Sequence, residues 1–168
     1  MDAVEAFNAL SAARLEGDLL ACCAVPGWAA EIIAGRPYRE RSEILAAADA
    51  ASHRLSWDEV LAGLSAHPRI GERAAGGSKE AAWSRREQSA AVATAGGETS
   101  TALVDVNRAY ENRFGHVFLI FASGRTREEI LAAARERLAN DEATERAIVA
   151  DELRKIARLR LERVLDAL

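Results

Sequence analysis

Residues that favour helices run through nearly the whole chain with few interruptions. Alanine is the dominant residue, only three prolines occur among 168 residues, and β-branched residues rarely cluster. Because alanine has the highest helix propensity and proline the lowest, this pattern predicts an all-α fold. A chain of this length fits one compact domain, so we expect residues 1–168 to form a single multi-helix domain.

One stretch departs from the helical pattern. Residues 116–122 read His-Val-Phe-Leu-Ile-Phe-Ala, the only continuous run of apolar, β-branched and aromatic residues in the sequence. Its periodicity alone would permit a buried strand. Since the sequence offers no second strand to pair with it, we predict a buried extended segment that threads between helices.

The helix boundaries place one histidine on a loop. The tetrapeptide at 56–59, Ser-Trp-Asp-Glu, has the form of a capping box and predicts the start of a helix. Pro68 disfavours the α conformation at the preceding residue, so that helix should end just before His67. The stretch from Arg69 to Ser78 contains three glycines and is predicted to be a loop.

Later boundaries follow similar signals. Ser78 or Ser84 is predicted to cap the helix after the glycine-rich loop, and Gly96-Gly97 to end it. Gly115 is a natural left-handed cap for the helix before it, and the tetrapeptide at 126–129 is a second capping box. The last helix is expected from about Asp141.

Charge and cysteine usage exclude several classes of protein. The net charge of −4 does not favour a broad surface for nucleic acid or an anionic membrane. Cys22 and Cys23 are neighbours, a poor geometry for a disulfide, so we expect reduced, buried thiols. No apolar run approaches the ~18 residues of a membrane span. The acidic start of the sequence lacks the pattern of a signal peptide, so we expect a cytoplasmic protein.

Two kinds of site are disfavoured by their spacing. The stretch 71–79 has glycines and a lysine, but it lacks the order of a phosphate-binding loop and follows no strand. The three histidines, His53, His67 and His116, have no spacing typical of metal ligands and no cysteine pair to join them. We therefore expect no protein-bound metal.

The remaining candidates can be interpreted in two ways. His67 can be an ordinary residue at a helix end, Glu87 can complete a capping box with Ser84, and Arg125 can pair with Glu128 or Glu129. Alternatively, Arg125 lies just before a helix N-terminus, where a cation is unfavourable unless an anion is nearby. A helix starting at Ser84 would offer free N–H groups to the same anion. Together these features suit a small carboxylated or amide-rich ligand, with His67 and Glu87 as proton-transfer groups.

Four motifs, in order and spacing, resemble those of the OHCU decarboxylases, which convert 2-oxo-4-hydroxy-4-carboxy-5-ureidoimidazoline (OHCU) to (S)-allantoin at the end of urate oxidation. The resemblance covers nearly the whole chain. The motifs are His67-Pro68-Arg69-Ile70-Gly71, Ser84-Arg85-Arg86-Glu87-Gln88-Ser89, Asn107-x-x-Tyr110-x-x-Arg113-Phe114-Gly115 and Gly124-Arg125.

The resemblance implies an all-α, usually dimeric enzyme that needs neither a metal nor an organic cofactor. It implies that His67 is the catalytic histidine and Glu87 the catalytic carboxylate. The substrate-binding residues that it implies are Pro68, Ser84, Arg85, Arg86, Gln88, Leu119, Ile120, Phe121, Ala122, Ser123 and Arg125, with residues 119–123 contributing backbone groups. Many members carry an acidic residue after the His-Pro pair, whereas this chain has Arg69.

Two other functions remain open from the sequence. A helical binding module could keep the pocket as a ligand sensor without turnover. An interaction protein could use the basic, amphipathic stretch 154–163 of the last helix, although a solvated helix face is the simpler interpretation of that stretch.

Overall fold

The computed structural model describes residues 1–71, 77–93 and 97–168. Within these ranges the chain forms helices and no β-strand, which confirms the all-α prediction. None of these helices is long and apolar enough to cross a membrane. The helices are α1 (Ala3–Ala9), α2 (Ala12–Cys22), α3 (Pro26–Ala34), α4 (Arg41–His53), α5 (Trp57–Leu64), α6 (Lys79–Glu87), α7 (Ser89–Ala93), α8 (Gly97–Phe114), α9 (Arg127–Arg137) and α10 (Glu142–Asp166).

The chain divides into two compact units. The first comprises Met1–Gly63 and Leu153–Leu168, and the second comprises Leu64–Glu152. Every site residue predicted from the sequence lies in the second unit. The single domain expected over residues 1–168 stays a prediction.

The first unit has an apolar core and uses basic side chains internally. The buried Trp28 donates its indole N–H to the carbonyl of Ala48 at 3.1 Å. Arg154 and Arg158, on the basic stretch of α10, both bind the carboxylate of Asp49, at 3.2 and 2.5 Å. Arg160 is only 3% exposed. Part of the basic stretch therefore serves the unit itself, and reversing the charge of Arg160 would disrupt the core rather than test a partner surface.

The two cysteines agree with the sequence prediction. Cys22 and Cys23 are both free thiols and both buried. Burial raises the pKa of the Cys23 thiol to about 12, although the Val25 backbone and Arg160 act in the opposite direction. The Cys23 side chain is therefore not a reactive thiolate at neutral pH.

The second unit is built around α8 and α9, which pack against each other, while α7 packs against α9. Residues 117–122 adopt no regular structure and run through this core, as predicted. The Phe118 ring meets the Tyr110 ring edge-on at 5.2 Å between centroids. The core cluster comprises Ile70, Ala91, Leu103, Val106, Tyr110, Phe118, Ile120, Ala122, Ile130, Leu131 and Ala134.

Most of the predicted helix boundaries are confirmed. Ser56 and Glu59 exchange reciprocal backbone-to-side-chain hydrogen bonds at 3.1 and 3.2 Å, so the capping box is formed. Helix α5 ends at Leu64, which leaves His67 outside it. Gly115 ends α8 with φ of +79°, a conformation that glycine adopts without strain. Thr126 caps α9 by accepting from the N–H of Glu129.

One of the two serines predicted to cap α6 is confirmed, whereas Gly97 differs from its predicted role. Ser78 is the N-cap and accepts from the N–H of Ala81 at 3.1 Å, so Ser84 lies inside α6 rather than at its start. The sequence offered two serines with equal capping chemistry, and only the first is used. Gly97 begins α8 instead of closing the preceding helix. Residues 72–76 of the predicted loop and Gly96 lie outside the described residues.

Candidate active site

The loop at residues 67–71, here called the His67 loop, is held by side chains from two helices. Asn107 of α8 donates its side-chain N–H to the carbonyl of Ile70 at 2.8 Å, in a buried position. Gln88, directly after α6, accepts from the N–H of Gly71 at 3.1 Å. His67 itself is half-buried. The backbone of Ile70 and Gly71, in the second half of the loop, is therefore held in place close to the histidine.

The end of α6 carries the predicted carboxylate. Ser84 and Glu87 are three residues apart, share one face of the helix and are each only 6% exposed. Arg86 is exposed, whereas Arg85 and Gln88 are half-buried. The predicted binding residues of this helix therefore do not all lie on its buried face.

The structure corrects two inferences about this helix. Because Ser84 is internal to α6, its neighbours have no free N–H groups at a helix start, and the anion site inferred there does not exist. Glu87 is the last residue of α6, so it cannot complete a capping box with Ser84. A carboxylate at a helix C-terminus faces the negative end of the helix dipole, which is an unfavourable position.

The bond between Gln88 and Gly71 joins the two parts of the predicted site. It connects the residue after Glu87 to the loop that carries His67. Ile70 of that loop and Ala91 of α7 belong to one core cluster with Ile120 of the extended segment. The structure thus gathers the three backbone elements in one unit. Convergence of the His67 and Glu87 side chains stays a prediction.

The carbonyl groups of residues 119–123, here called the binding segment, are largely taken by arginines. Arg137 donates to the carbonyl of Leu119 at 2.6 Å. Arg125 donates its side-chain Nε–H to the carbonyl of Phe121 at 3.1 Å and its backbone N–H to that of Ala122 at 3.0 Å. The segment is thus fixed near both of its ends.

The N–H groups of the binding segment, unlike its carbonyls, have no hydrogen-bond acceptors among the described residues. Across residues 1–71, 77–93 and 97–168, no protein atom accepts a hydrogen bond from the N–H of any residue from 119 to 123. Leu119, Ile120 and Ala122 are buried. Buried N–H groups are costly unless they are paired, so the unpaired donors of these buried residues suit a ligand with hydrogen-bond acceptors.

Arg125 lies where the sequence places it, two residues before α9. Its side chain is half-buried and binds the carbonyl of Phe121. Within the described part of the chain it forms no ion pair with Glu128 or Glu129, so that alternative is wrong.

A buried charged network supports the binding segment from behind. Arg137 and Glu145 are 6% and 0% exposed, and Arg137 Nη2 lies 2.5 Å from Glu145 Oε1. Tyr110 donates its hydroxyl to the same oxygen at 2.6 Å, and Asn140 donates to the other carboxylate oxygen at 3.1 Å. Burial and the neighbouring carboxylate raise the pKa of Tyr110, so its hydroxyl stays protonated and donates.

Arg137 and Glu145 belong to none of the sequence motifs, although their positions on the helices carry a signal. The buried face of α9 contains Ile130, Ala134 and Arg137, which follow one another at helical spacing. Glu145 and the fully buried Val149 likewise share one face of α10. A charged residue at a core-facing position of an amphipathic helix marks a buried polar contact.

A cavity of about 360 Å³ borders the His67 loop. Neither His67, Glu87 nor Arg125 lines it. Two buried polar atoms among its lining side chains, Asn107 Oδ1 and Arg127 Nε, have no hydrogen-bond partner among the described residues. The lining residues are Arg69, Ile70, Gly71, Ser100, Leu103, Val104, Asn107, Arg108, Glu111 and Arg127.

Arg69, which stands where many OHCU decarboxylases carry an acidic residue, has an ion-pair partner nearby. Arg69 forms a two-point contact with Glu111 of α8, with Nε to Oε1 at 2.6 Å and Nη2 to Oε2 at 3.2 Å. Its charge is therefore balanced by an acidic residue beside the loop. Among the described residues, no group of three or more His, Cys, Asp or Glu side chains is arranged to hold a metal ion.

Known proteins resemble this chain in sequence and in structure. A uric acid degradation bifunctional protein TTL of Arabidopsis thaliana is 33% identical over 154 residues, which cover 90% of this chain and 47% of the relative. The chain therefore spans about half the length of that relative. A 2-oxo-4-hydroxy-4-carboxy-5-ureidoimidazoline decarboxylase of Haloferax volcanii is 30% identical over 135 residues, which cover 80% of this chain and 79% of the relative.

The structural likeness is equally broad. A crystal structure of an OHCU decarboxylase, obtained in the presence of (S)-allantoin, superimposes with a TM-score of 0.77 at 30% sequence identity. The match covers 90% of this chain and 99% of that one. The family model described as OHCU decarboxylase matches residues 8–162, so this chain belongs to the OHCU decarboxylase family.

Proposed function

We propose that this protein decarboxylates OHCU to (S)-allantoin, with His67 and Glu87 as its acid–base pair and without a metal or organic cofactor. The observation that carries the proposal is the binding segment, where arginines occupy carbonyl groups and the N–H groups of the buried residues Ile120 and Ala122 have no protein acceptor among the described residues. In an extended chain these two donors point to the same side, so both can bind a small anionic ring rich in oxygen and nitrogen acceptors.

The chemistry of the substrate makes a cofactor-free route reasonable. One ring carbon of OHCU carries both a carboxylate and a hydroxyl, and the neighbouring carbon is part of a C=N bond. When the bond to the carboxylate breaks, its electron pair forms a C=C bond while the C=N electrons move to nitrogen. That nitrogen takes up a proton, the hydroxyl loses its proton to become a carbonyl, and the neighbouring carbon gains one. Overall one proton is taken up as carbon dioxide leaves.

Each residue has a role in this proposal. His67, aligned by Glu87, moves the hydroxyl proton. Arg125 contributes positive charge near the substrate carboxylate while it fixes the segment backbone. Ser84, Arg85 and Gln88 lie on or beside α6 and read the polar edge of the ring, as does the backbone of residues 119–123.

The structure limits what three of the predicted binding residues, Arg86, Gln88 and Pro68, can contribute in this proposal. Arg86 is exposed, so in this proposal it acts on the approach of an anion rather than on the bound ring. Gln88 already uses its side-chain oxygen to accept from Gly71, so only its amide N–H groups are offered to the substrate. Pro68 contributes by keeping His67 out of a helix.

The proposal is tested by generating OHCU in situ from 5-hydroxyisourate and following its loss by circular dichroism with and without the protein. We expect faster loss and an excess of (S)-allantoin, because spontaneous decay gives the racemate. Saturable binding with no acceleration would instead identify a ligand-binding module. A homodimer, which the family resemblance implies, belongs to the same proposal and is tested by light scattering.

A further inference from the structure

The buried pair of Arg137 and Glu145 requires an explanation beyond stability. Burying two charges removes them from water, and replacing such a pair with apolar side chains of similar size is often neutral or stabilising. Arg137 and Glu145 are 6% and 0% exposed, so they carry this cost almost in full. A role that apolar residues could not fill would account for them.

The guanidinium of Arg137 makes contacts in two directions. Its Nε and Nη2 donate to Glu145 Oε1 at 2.8 and 2.5 Å, whereas Nη1 donates to the carbonyl of Leu119 at 2.6 Å. The ring of Phe118 lies 4.5 Å from the guanidinium carbon. The planar fork is thus held on one side by the carboxylate and presents its remaining nitrogen to the binding segment.

The contact at Leu119 determines the direction of the next N–H group. In a planar trans peptide, the carbonyl and the following N–H point in opposite directions. Since the carbonyl of Leu119 points to Arg137, the N–H of Ile120 points away from Arg137. That N–H has no acceptor within the described part of the protein.

We propose that Arg137, held by Glu145, is a positioning residue that orients the Leu119–Ile120 peptide so that the N–H of Ile120 binds the substrate. The inference rests on the proposed function, because the ligand it invokes is the acceptor-rich ring of OHCU. Arg137 acts through the backbone and does not touch the substrate. Arg125 holds the carbonyl of Phe121 with its side chain and that of Ala122 with its backbone N–H, so the two arginines fix the segment from either end.

The first test uses Arg137→Lys and Arg137→Met/Glu145→Gln. Lysine keeps the charge opposite Glu145 but lacks the fork that serves both acceptors. The double variant leaves no uncompensated charge and retains an oxygen for the Tyr110 hydroxyl. In both variants we expect the KM for OHCU to rise about tenfold, with kcat within about threefold of wild type. This pattern is expected when the enzyme loses one hydrogen bond that it makes equally to the bound substrate and to the transition state. The pH profile of kcat should not move.

Tyr110→Phe is the matched control, since it removes a bond to Glu145 but leaves Arg137 on Leu119. We expect it to lower the melting temperature and to leave KM unchanged. Folded variants of Arg137 with wild-type KM would overturn the inference, as would an equal rise of KM in Tyr110→Phe.

A second measurement uses the wild-type protein and does not depend on any variant folding. Addition of (S)-allantoin should shift the amide resonance of Ile120 in a ¹⁵N spectrum and slow its hydrogen exchange. An unchanged Ile120 amide at saturating ligand would overturn the inference. A wild-type protein that does not accelerate OHCU loss would instead overturn the proposed function, so the two failures are distinguishable.

Discussion

Arg69 and Glu111 form a two-point ion pair between the His67 loop and α8, with nitrogen-to-oxygen distances of 2.6 and 3.2 Å. The two side chains are 48% and 25% exposed, so the pair is partly screened by solvent and worth at most about 1 kcal/mol. It nevertheless lies two residues from His67. Its geometry therefore matters more for the position of the loop than for the stability of the unit.

Charge reversal at this pair tests its effect on the loop. Arg69→Glu places two carboxylates together, and we expect it to lower kcat/KM several-fold and the free energy of unfolding by about 0.5–1 kcal/mol. Arg69→Glu/Glu111→Arg should restore most of both losses. Steady-state kinetics and urea unfolding measure them. Equal values for the single and double variants would show that the pair does not hold the loop.

Removal of the Asn107 side chain tests the buried support of the same loop. Asn107→Ala leaves the carbonyl of Ile70 without its donor, so we expect a loss of about 1–3 kcal/mol in the free energy of unfolding. Because the loop carries His67, kcat should also fall. Asn107→Asp keeps the size but removes the donor, and should be at least as damaging. Wild-type kcat in folded Asn107→Ala would show that the histidine does not depend on this bond.

Glu87→Gln separates catalysis from stability. We expect turnover to fall by about 10²- to 10⁴-fold, because an amide cannot serve as a proton-transfer carboxylate. The free energy of unfolding should stay within about 1 kcal/mol of wild type, because the substitution also removes a negative charge from the C-terminal end of α6. Circular dichroism assays and thermal melts measure the two effects. Wild-type turnover with an altered melting temperature would assign Glu87 a structural role instead.

The stability of the protein should fall at alkaline pH through Tyr110. The pKa of its hydroxyl is raised above the usual value of 10.0, so the folded state holds the proton after the unfolded state has lost it. This contribution is complete below pH 10 and declines at higher pH, by up to about 1.4 kcal/mol per pH unit. Urea unfolding between pH 9 and 11 should show a steeper decline in wild type than in Tyr110→Phe. Parallel declines would contradict the shift.

The cysteines should resist thiol reagents in the folded protein. Both are buried, and the pKa of Cys23 is about 12, so almost no thiolate forms at pH 8. Ellman's reagent should detect no thiol without denaturant and two thiols in guanidinium chloride. Rapid reaction of either cysteine in the native protein would show that this part of the first unit opens readily.

The all-α fold and the buried extended segment followed from the sequence because their signals are local. The helix-rich composition, the effect of Pro68 on His67 and the single apolar run at 116–122 each depend on neighbouring residues. The start of α6 was ambiguous because Ser78 and Ser84 have the same capping chemistry and only tertiary packing selects between them. The two serines are six residues apart, and the use of Ser78 places Glu87 in the last turn of the helix instead of the first.

The hydrogen bonds that hold the site in place were harder to predict because they connect residues that are far apart in the sequence. Asn107 and Ile70 are 37 residues apart, and Arg137 reaches Leu119 across 18. Asn107 was recognised only as part of a family motif, with no role attached. Such bonds depend on the path of the backbone, which local propensity does not determine.

The arginines at the binding segment have one more consequence, for association between chains. An unpaired, β-prone apolar run can recruit an identical run from another molecule, and natural proteins block such edges. A recruited strand needs both donors and acceptors along the backbone. Here the carbonyls of Leu119, Phe121 and Ala122 are already occupied by Arg137 and Arg125. The contacts that fix the segment therefore also leave few of its carbonyls for a recruited strand.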